Sequence, residues 1–312
     1  MSTTAVNLVK RTPSYRRPAG RRPIARLAAR QLRWLALVLL LPVGEVAATL
    51  LHRYSEWSEA EAVRARLGNT AYHFTDVPYN AHTLTERLFA DGQSVAFVPA
   101  LCAAALTAIL TAREWESRRV AVTLTQSVSP VRWFGIHWGV QAALTLVLTM
   151  PLVVLYYLNA AHAYHKDLLV HGAYQATLYF TIGPVTLAYV LLGVAAGAFV
   201  GTAMRRTLPA LLAAPALLWL LVALLVRSRL AALLDYPVFS ETHGYHPGGV
   251  LGLQFFHLLP QDIYLVNSLT PGDYWPYQLA QTAVVLALTA ALAYGALRIV
   301  RRRTGRAGAR IR

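Results

Sequence analysis

The chain has 312 residues, 56% of them apolar and only 14% charged, with a formal net charge of +15. Soluble domains of this length carry about 25% charged residues, so the deficit excludes an ordinary soluble globule and predicts a surface that faces lipid over much of its area. The positive excess would suit nucleic acid, but its distribution along the chain, given below, argues against that partner.

Residues 1–22 form a basic tail with Pro13 and Pro18 and are expected to be disordered. From Pro23, Ile24, Leu27, Leu32 and Leu35 alternate with Arg26, Arg30 and Arg33 at helical spacing. This predicts an N-terminal amphipathic interfacial helix on the inner leaflet, although an ordinary charged flank fits equally well. Crossing a bilayer takes about 20 apolar residues. Six windows meet that length: Leu32–Leu51, Ser94–Thr111, Trp133–Leu158, Thr177–Met204, Leu208–Val226 and Tyr277–Val300. A basic start before an apolar run also suits a signal peptide. However, the first run is long and carries Glu45, and Val46-Ala47-Ala48 makes a poor cleavage site, so it reads as a retained span.

Two large loops lie on one side, His52–Gln93 and Arg227–Pro276. In the first, Ser58-Glu59-Ala60-Glu61 has the capping-box pattern, predicting a short helix to about Leu67 stopped by Gly68. The second contains "GVLGLQFFHLL", apolar but too short to span. On the other side the fourth and fifth spans are joined only by Arg205, Arg206 and Thr207, which makes a tight helical hairpin. Residues 23–304 thus form one transmembrane domain, followed by a basic tail over 305–312.

Placing the N-terminus in the cytoplasm puts 22 basic and two acidic residues on the inner side, against seven basic and 11 acidic outside. This is the positive-inside pattern, and it predicts both termini in the cytoplasm. The basic tails then read as anchors to the inner leaflet of the bilayer. The fold class is therefore an all-α integral membrane protein with six transmembrane helices and two large extracytoplasmic loops.

Several features within this plan carry chemistry. Glu45 lies near the middle of the first span, where an ionisable group costs at least about 2.5 kcal/mol. It should face protein or water, either along a substrate path or hydrogen-bonded to a neighbouring span. Gly193, Gly197 and Gly201 in "GVAAGAFVG" recur every four residues and allow close approach of another backbone. Packing within the chain and a dimer face fit that pattern equally. The sole cysteine, Cys102, sits in the second span, so no disulfide framework is expected.

Nine of the ten histidines fall outside, all but His137. His162 with His165, and His243 with His246, have ligand-like spacing, but a catalytic zinc ordinarily takes three protein ligands. Acid-responsive exposed histidines are the plainer reading, and no metal ligand is assigned. No G-x-S-x-G, H-E-x-x-H or phosphate-loop motif is present, and the only lysines are Lys10 and Lys166. No catalytic residue and no cofactor-binding residue is assigned.

One polar stretch remains, "TAREWESRRVAVTLTQSVSPVRWFGIHWG", Thr111–Gly139, on the inner side between the second and third spans. Arg113, Glu114, Glu116, Arg118 and Arg119 predict a short charged knob, and Pro130 a sharp start to the third span. The stretch resembles the corresponding loop of bacterial type-2 ABC exporter permeases, notably an actinobacterial branch. The resemblance rests on Glu114, Glu116, Thr125, Gln126, Ser127, Ser129, Pro130, Arg132 and Trp133. A second stretch, "LTPGDYWPYQLAQTAVVLAL", is similar to that group's start of the last span through Pro271, Tyr274, Trp275 and Gln278. Ser117-Arg118 stands where the group has Gly-Thr, and His137 where it often has Lys.

The resemblance implies a permease subunit in a bacterial cytoplasmic membrane, paired with a second permease as a homo- or heterodimer and with a separate ABC ATPase. ATP and Mg would be bound by the ATPase, with no cofactor in this subunit. Arg113, Glu114, Glu116, Arg118 and Arg119 would form the coupling helix seated in the ATPase, and the N-terminal amphipathic segment a connecting helix. Two other classes stay open: a membrane enzyme using the outer histidines on a lipid-linked substrate, and a non-transporting sensor or scaffold.

The charge asymmetry predicts that a reporter fused after Arg312 will be cytoplasmic and one inserted near Asn80 will be outside. An external reagent labelling the C-terminus in intact cells would overturn the six-span plan.

Overall fold

Six α-helices, and no strand among the described residues, build the chain in a computed structural model that describes residues 21–72, 81–117, 129–166, 168, 181–227 and 274–309. They are α1 (Arg21–Tyr72), α2 (Ala81–Glu116), α3 (Pro130–His165), α4 (Pro184–Met204), α5 (Thr207–Arg227) and α6 (Tyr274–Ala309). Five of them, α2 to α6, are long and apolar enough to cross a membrane. The first expected span, 32–51, lies inside α1.

The helices overrun the apolar windows, and this corrects several boundaries. α1 has 52 residues, about 78 Å at 1.5 Å per residue. The stretch 23–35 is helical as expected but continues into the following span without interruption. The separate helix from Ser58 to Leu67 does not exist as such. Ser58 lies in mid-helix, its hydroxyl donating to the Ser55 carbonyl at 2.8 Å. No residue between 51 and 58 stops the helix, and Arg53, Glu56, Trp57 and Ala60 all find partners that prolong it. Likewise α3 runs on to His165, so 159–165 is helix rather than loop. α4 begins at Pro184, which occupies the first helical turn behind an extended Gly183, and 177–180 of the expected fourth span lie outside the described residues.

α4 is the central helix, packed against α2, α3, α5 and α6. Its glycine ladder meets α2 of the same chain. A Cβ on Gly193 would collide with the Ala100 carbonyl, and one on Gly197 with the Ala104 carbonyl. On Gly201 it would lie 2.8 Å from both the Ala108 carbonyl and the Thr111 Cβ. Gly193, Gly197 and Gly201 thus lie along Ala100, Ala104 and Ala108, two ladders of period four rising in the same direction. In lipid no hydrophobic gain draws helices together, so such backbone contact is what holds them. The in-chain reading of the glycines is the observed one.

α1 leans on α2 and α3 through Leu39, Val43, Val46, Leu50, Trp57 and Ala60. At the end of the bundle opposite Ser117, Trp57 Nε1 donates to Asn159 Oδ1 at 2.9 Å. Asn159 Nδ2 in turn donates to the carbonyls of Leu155 at 2.9 Å and Leu50 at 3.3 Å. Beside this, Arg53 Nε donates to Asp91 Oδ2 at 2.8 Å, and Arg53 also pairs with Glu56. Arg87 reaches the same Glu56 at 3.4 Å. Both Arg53 and Asp91 are buried, so each charge depends on the other for compensation.

Gly197→Leu should destabilise the chain by about 1–3 kcal/mol or more, because overpacking here must push α4 off the α2 backbone. Gly139→Leu is the matched control, since a Cβ there meets nothing within 4 Å. Thermal unfolding and the monodisperse fraction in detergent should fall for the first variant and hold for the second. Equal behaviour of the two would remove the close contact from its central place.

Candidate coupling site at the basic end of the bundle

The last turn of α2 carries Arg113, Glu114, Trp115 and Glu116. Arg113 and Glu116 are exposed, Trp115 is half-buried and Glu114 is buried. Arg118 and Arg119 lie outside the described residues, as do Thr125, Gln126 and Ser127. Of the five charges of the expected knob, the described residues include Arg113, Glu114 and Glu116. The Glu114 side chain is withdrawn into the bundle at 8% exposure. The Glu116 carboxylate is already engaged within the chain.

Glu116 Oε2 accepts the Thr207 backbone N–H at 3.2 Å and also the Thr207 hydroxyl. Thr207 opens α5, where backbone N–H groups have no partner inside the helix and the helix dipole favours a carboxylate. The Thr207 hydroxyl, the Thr207 N–H and the nearby Arg206 charge hold the Glu116 carboxyl below its ordinary value. Glu116 is exposed at the end of α2, past the apolar window 94–111.

Trp115 joins the other helices. Its ring stacks on Phe134 of α3, with centroids 5.7 Å apart and planes at 12°. The Arg205 guanidinium lies 5.7 Å from the same ring and that of Arg303 5.8 Å, within cation–π range. Arg205 is the only residue other than glycine with a positive φ among the described residues, at 59°. It ends α4 in the left-handed conformation, its N–H donating to the Gly201 carbonyl at 3.3 Å. Glycine is the usual choice at such a cap; here the side chain is needed over Trp115. Arg303 of α6 also donates to the carbonyls of Thr202 and Ala203, the latter at 3.4 Å.

α3 begins beside this cluster. Ser129 caps it, its hydroxyl oxygen accepting the Arg132 N–H at 3.2 Å, and Pro130 follows at the first turn. One helical turn past Phe134, Trp138 Nε1 donates to Thr111 Oγ1 of α2 at 3.1 Å. Thus α2 is tied at one level to α3, to the α4–α5 turn and to α6.

The remaining candidates lie elsewhere. Gly193, Gly197 and Gly201 are buried against α2, as described above. Glu45 is on the exposed side of α1, next to Gly44, where a Cβ would meet nothing within 4 Å. Among the described residues no group pairs with its carboxylate. His162 Nε2 lies 3.1 Å from Glu61 Oε1, and Lys166 Nζ 3.5 Å from Glu61 Oε2. His165 is exposed beside Tyr164. Among the described residues no group of three or more His, Cys, Asp or Glu could hold a metal ion. His243 and His246 lie outside the described residues.

Sequence reasoning missed Trp115, which it read only as part of a charged run, and Thr207, which it read as a mere joint. An aromatic residue between two acidic ones, at the end of an apolar window, was the available signal for the first. It also missed the Arg53–Asp91 pair, for which two opposite charges in separate helices give no spacing to read.

Residues 36–230, more than half of the chain, match a family described as ABC-2 membrane transporter related. No curated protein and no solved structure matches the chain.

Because the folded value of Glu116 is depressed, its tie to Thr207 is present above the ordinary carboxylate range, about pH 4, and is lost as pH falls through that lowered value. Glu116→Ala should therefore raise amide hydrogen exchange at 207–209 at neutral pH, after correction for intrinsic rates. Acid should do the same to the unsubstituted chain and leave the variant unchanged. Unaltered exchange in the variant would dissociate α2 from the start of α5.

Proposed function

Because the chain belongs to the ABC-2 membrane transporter related family, we propose that it is the permease subunit of a bacterial ATP-binding cassette exporter, driven by a separate ATPase subunit that binds ATP and Mg. The basic end is then cytoplasmic, with six spans and both termini inside. Transport is the activity, and the subunit itself carries out no covalent chemistry.

The observation that carries this reading is the four-way tie around Trp115. A soluble motor can move membrane helices only through a rigid handle. The segment after Arg113 begins on α2, ends at the Ser129 cap of α3, and is braced to the α4–α5 turn and α6. Its docking contacts are Arg113 and the loop that includes Arg118 and Arg119. Glu116 acts differently, passing the shift from α2 to α5 through Thr207. Rigid-body transmission of this sort needs a stiff path more than strong contacts.

Two copies of the permease complete the transporter. Glu45 supports this, since it faces out of the single chain at a depth where an ionisable group in lipid is costly. A second copy along α1 would put Glu45 in the seam between subunits, which is also where a substrate path would run. The membrane-enzyme reading would rest on the outer histidines other than His162, which lies 3.1 Å from Glu61.

The test is purification of the tagged chain from its native membranes. A phosphate-loop ATPase should co-purify at two copies per two permeases. Arg113→Glu should reduce the bound ATPase at least tenfold, equivalent to about 1.4 kcal/mol, with insertion preserved. Glu61→Lys, at the opposite end, should leave it unchanged. A chain that purifies without any ATPase would return the function to a sensor or scaffold.

A further inference from the structure

The buried side of α3 is polar where its exposed side is apolar, the reverse of what burial usually selects. From His137 to Thr149 the buried residues are His137, Trp138, Gln141, Thr145 and Thr149. On the exposed side of the same turns lie Val147, 68% exposed, and Met150, 52% exposed. His137, Gln141, Thr145 and Thr149 follow one another every four residues, a ridge that climbs about 6 Å per step while winding slowly round the helix. It runs within the third apolar window, from one turn past its start at Trp133 to nine residues before its end at Leu158.

The two threonines satisfy their own protons. Thr145 Oγ1 donates to the Gln141 carbonyl at 2.8 Å and Thr149 Oγ1 to the Thr145 carbonyl at 2.7 Å. Their oxygens still accept. His137 and Gln141 stand differently. They are 2% and 4% exposed, and neither ring nitrogen nor either carboxamide atom has a hydrogen-bond partner among the described residues. A neutral imidazole offers one donor and one acceptor, and a carboxamide offers two donors and an acceptor. One bond between the two side chains would leave the other capacities unmet. A bundle surrounded by lipid supplies no replacement from outside.

The ridge ends in apolar contacts on both sides. Trp133, Phe134 and Trp138 pack with Ala198, Ala296 and Val300 at the basic end. Leu152 and Tyr156 join the α1–α2 cluster at the other. Water is small and offers both donors and acceptors, so it can serve the His137 and Gln141 groups enclosed in this way.

We infer that His137, Gln141, Thr145 and Thr149 form an internal water-binding site within the membrane-spanning part of the bundle, closed by the aromatic cluster on one side and by Leu152 and Tyr156 on the other. This rests on the polarity of the ridge and is independent of any ATPase partner.

Radiolytic hydroxyl-radical footprinting of the full-length chain in lipid nanodiscs tests it, because the radicals arise from water at the site and oxidise the side chains beside it. The unsubstituted chain should show oxidation of His137, while Trp219, which faces lipid on α5, stays unlabelled. Gln141→Leu should reduce the labelling of His137, since the site loses a partner for its water and gains bulk. His137 labelled no more than Trp219 would overturn the site, leaving His137 paired with Gln141. Labelling unchanged in Gln141→Leu would detach His137 from the ridge and also overturn it. If Gln141→Leu fails to fold, the comparison of His137 with Trp219 in the unsubstituted chain decides alone.

Discussion

Everything in this bundle depends on how closely α4 can approach α2. With Gly193, Gly197 and Gly201 laid on Ala100, Ala104 and Ala108, the two backbones touch, and larger side chains are left to face outward. Leu208 and Leu212 on α5, and Leu279 on α6, are among the exposed residues. A membrane gives little reward for burying such side chains, so close contact between small residues has to supply the cohesion. Once α2 and α4 are joined, α2 becomes the bridge. α1, α3 and α5 pack directly on it, and α4 carries α6.

The two ends of the bundle use polar groups in opposite ways. At the basic end Arg205 and Arg303 lie over an indole face, Arg303 also reaches two carbonyls, and the Glu116 carboxylate caps the start of α5 near Arg206. Arginines there keep part of their charge available for a soluble neighbour or for anionic lipid. At the opposite end Arg53, Glu56, Arg87 and Asp91 neutralise one another across α1 and α2. That arrangement fixes position and projects little field. The same residue types therefore act as braces at one end and as contact charges at the other, and burial decides which.

Hydropathy made the membrane-spanning part legible because lipid imposes a length. The windows 94–111, 133–158 and 208–226 fall inside α2, α3 and α5. What it could not show was where the helices stop, since a helix in water obeys different rules. Ser58 has the residues of a helix start, yet Trp57 bonded to Asn159 and Arg53 bonded to Asp91 keep α1 going through it. The glycine ladder announced a close contact, but a period of four says nothing about which backbone will meet it. For the coupling charges, Glu114 and Glu116 look alike in sequence. They are two positions apart on a helix, so they point in different directions, and only the placement of α5 determines that Glu116 meets Thr207. The polar ridge on α3 was present as four residues at regular spacing, hidden because each was read against its apolar neighbours and not along the helix.

The overrun of α1, α2 and α3 has a consequence for the shape of the molecule beyond the bilayer. α2 starts 13 residues ahead of its apolar window, about 20 Å of helix. α3 ends seven residues past its own, about 10 Å. The stretches that adjoin α4, α5 and α6 at that end lie outside the described residues. Anything leaving or approaching the membrane along the α1–α2–α3 flank therefore meets a projecting three-helix wall, stiffened by Arg53, Asp91, Trp57 and Asn159.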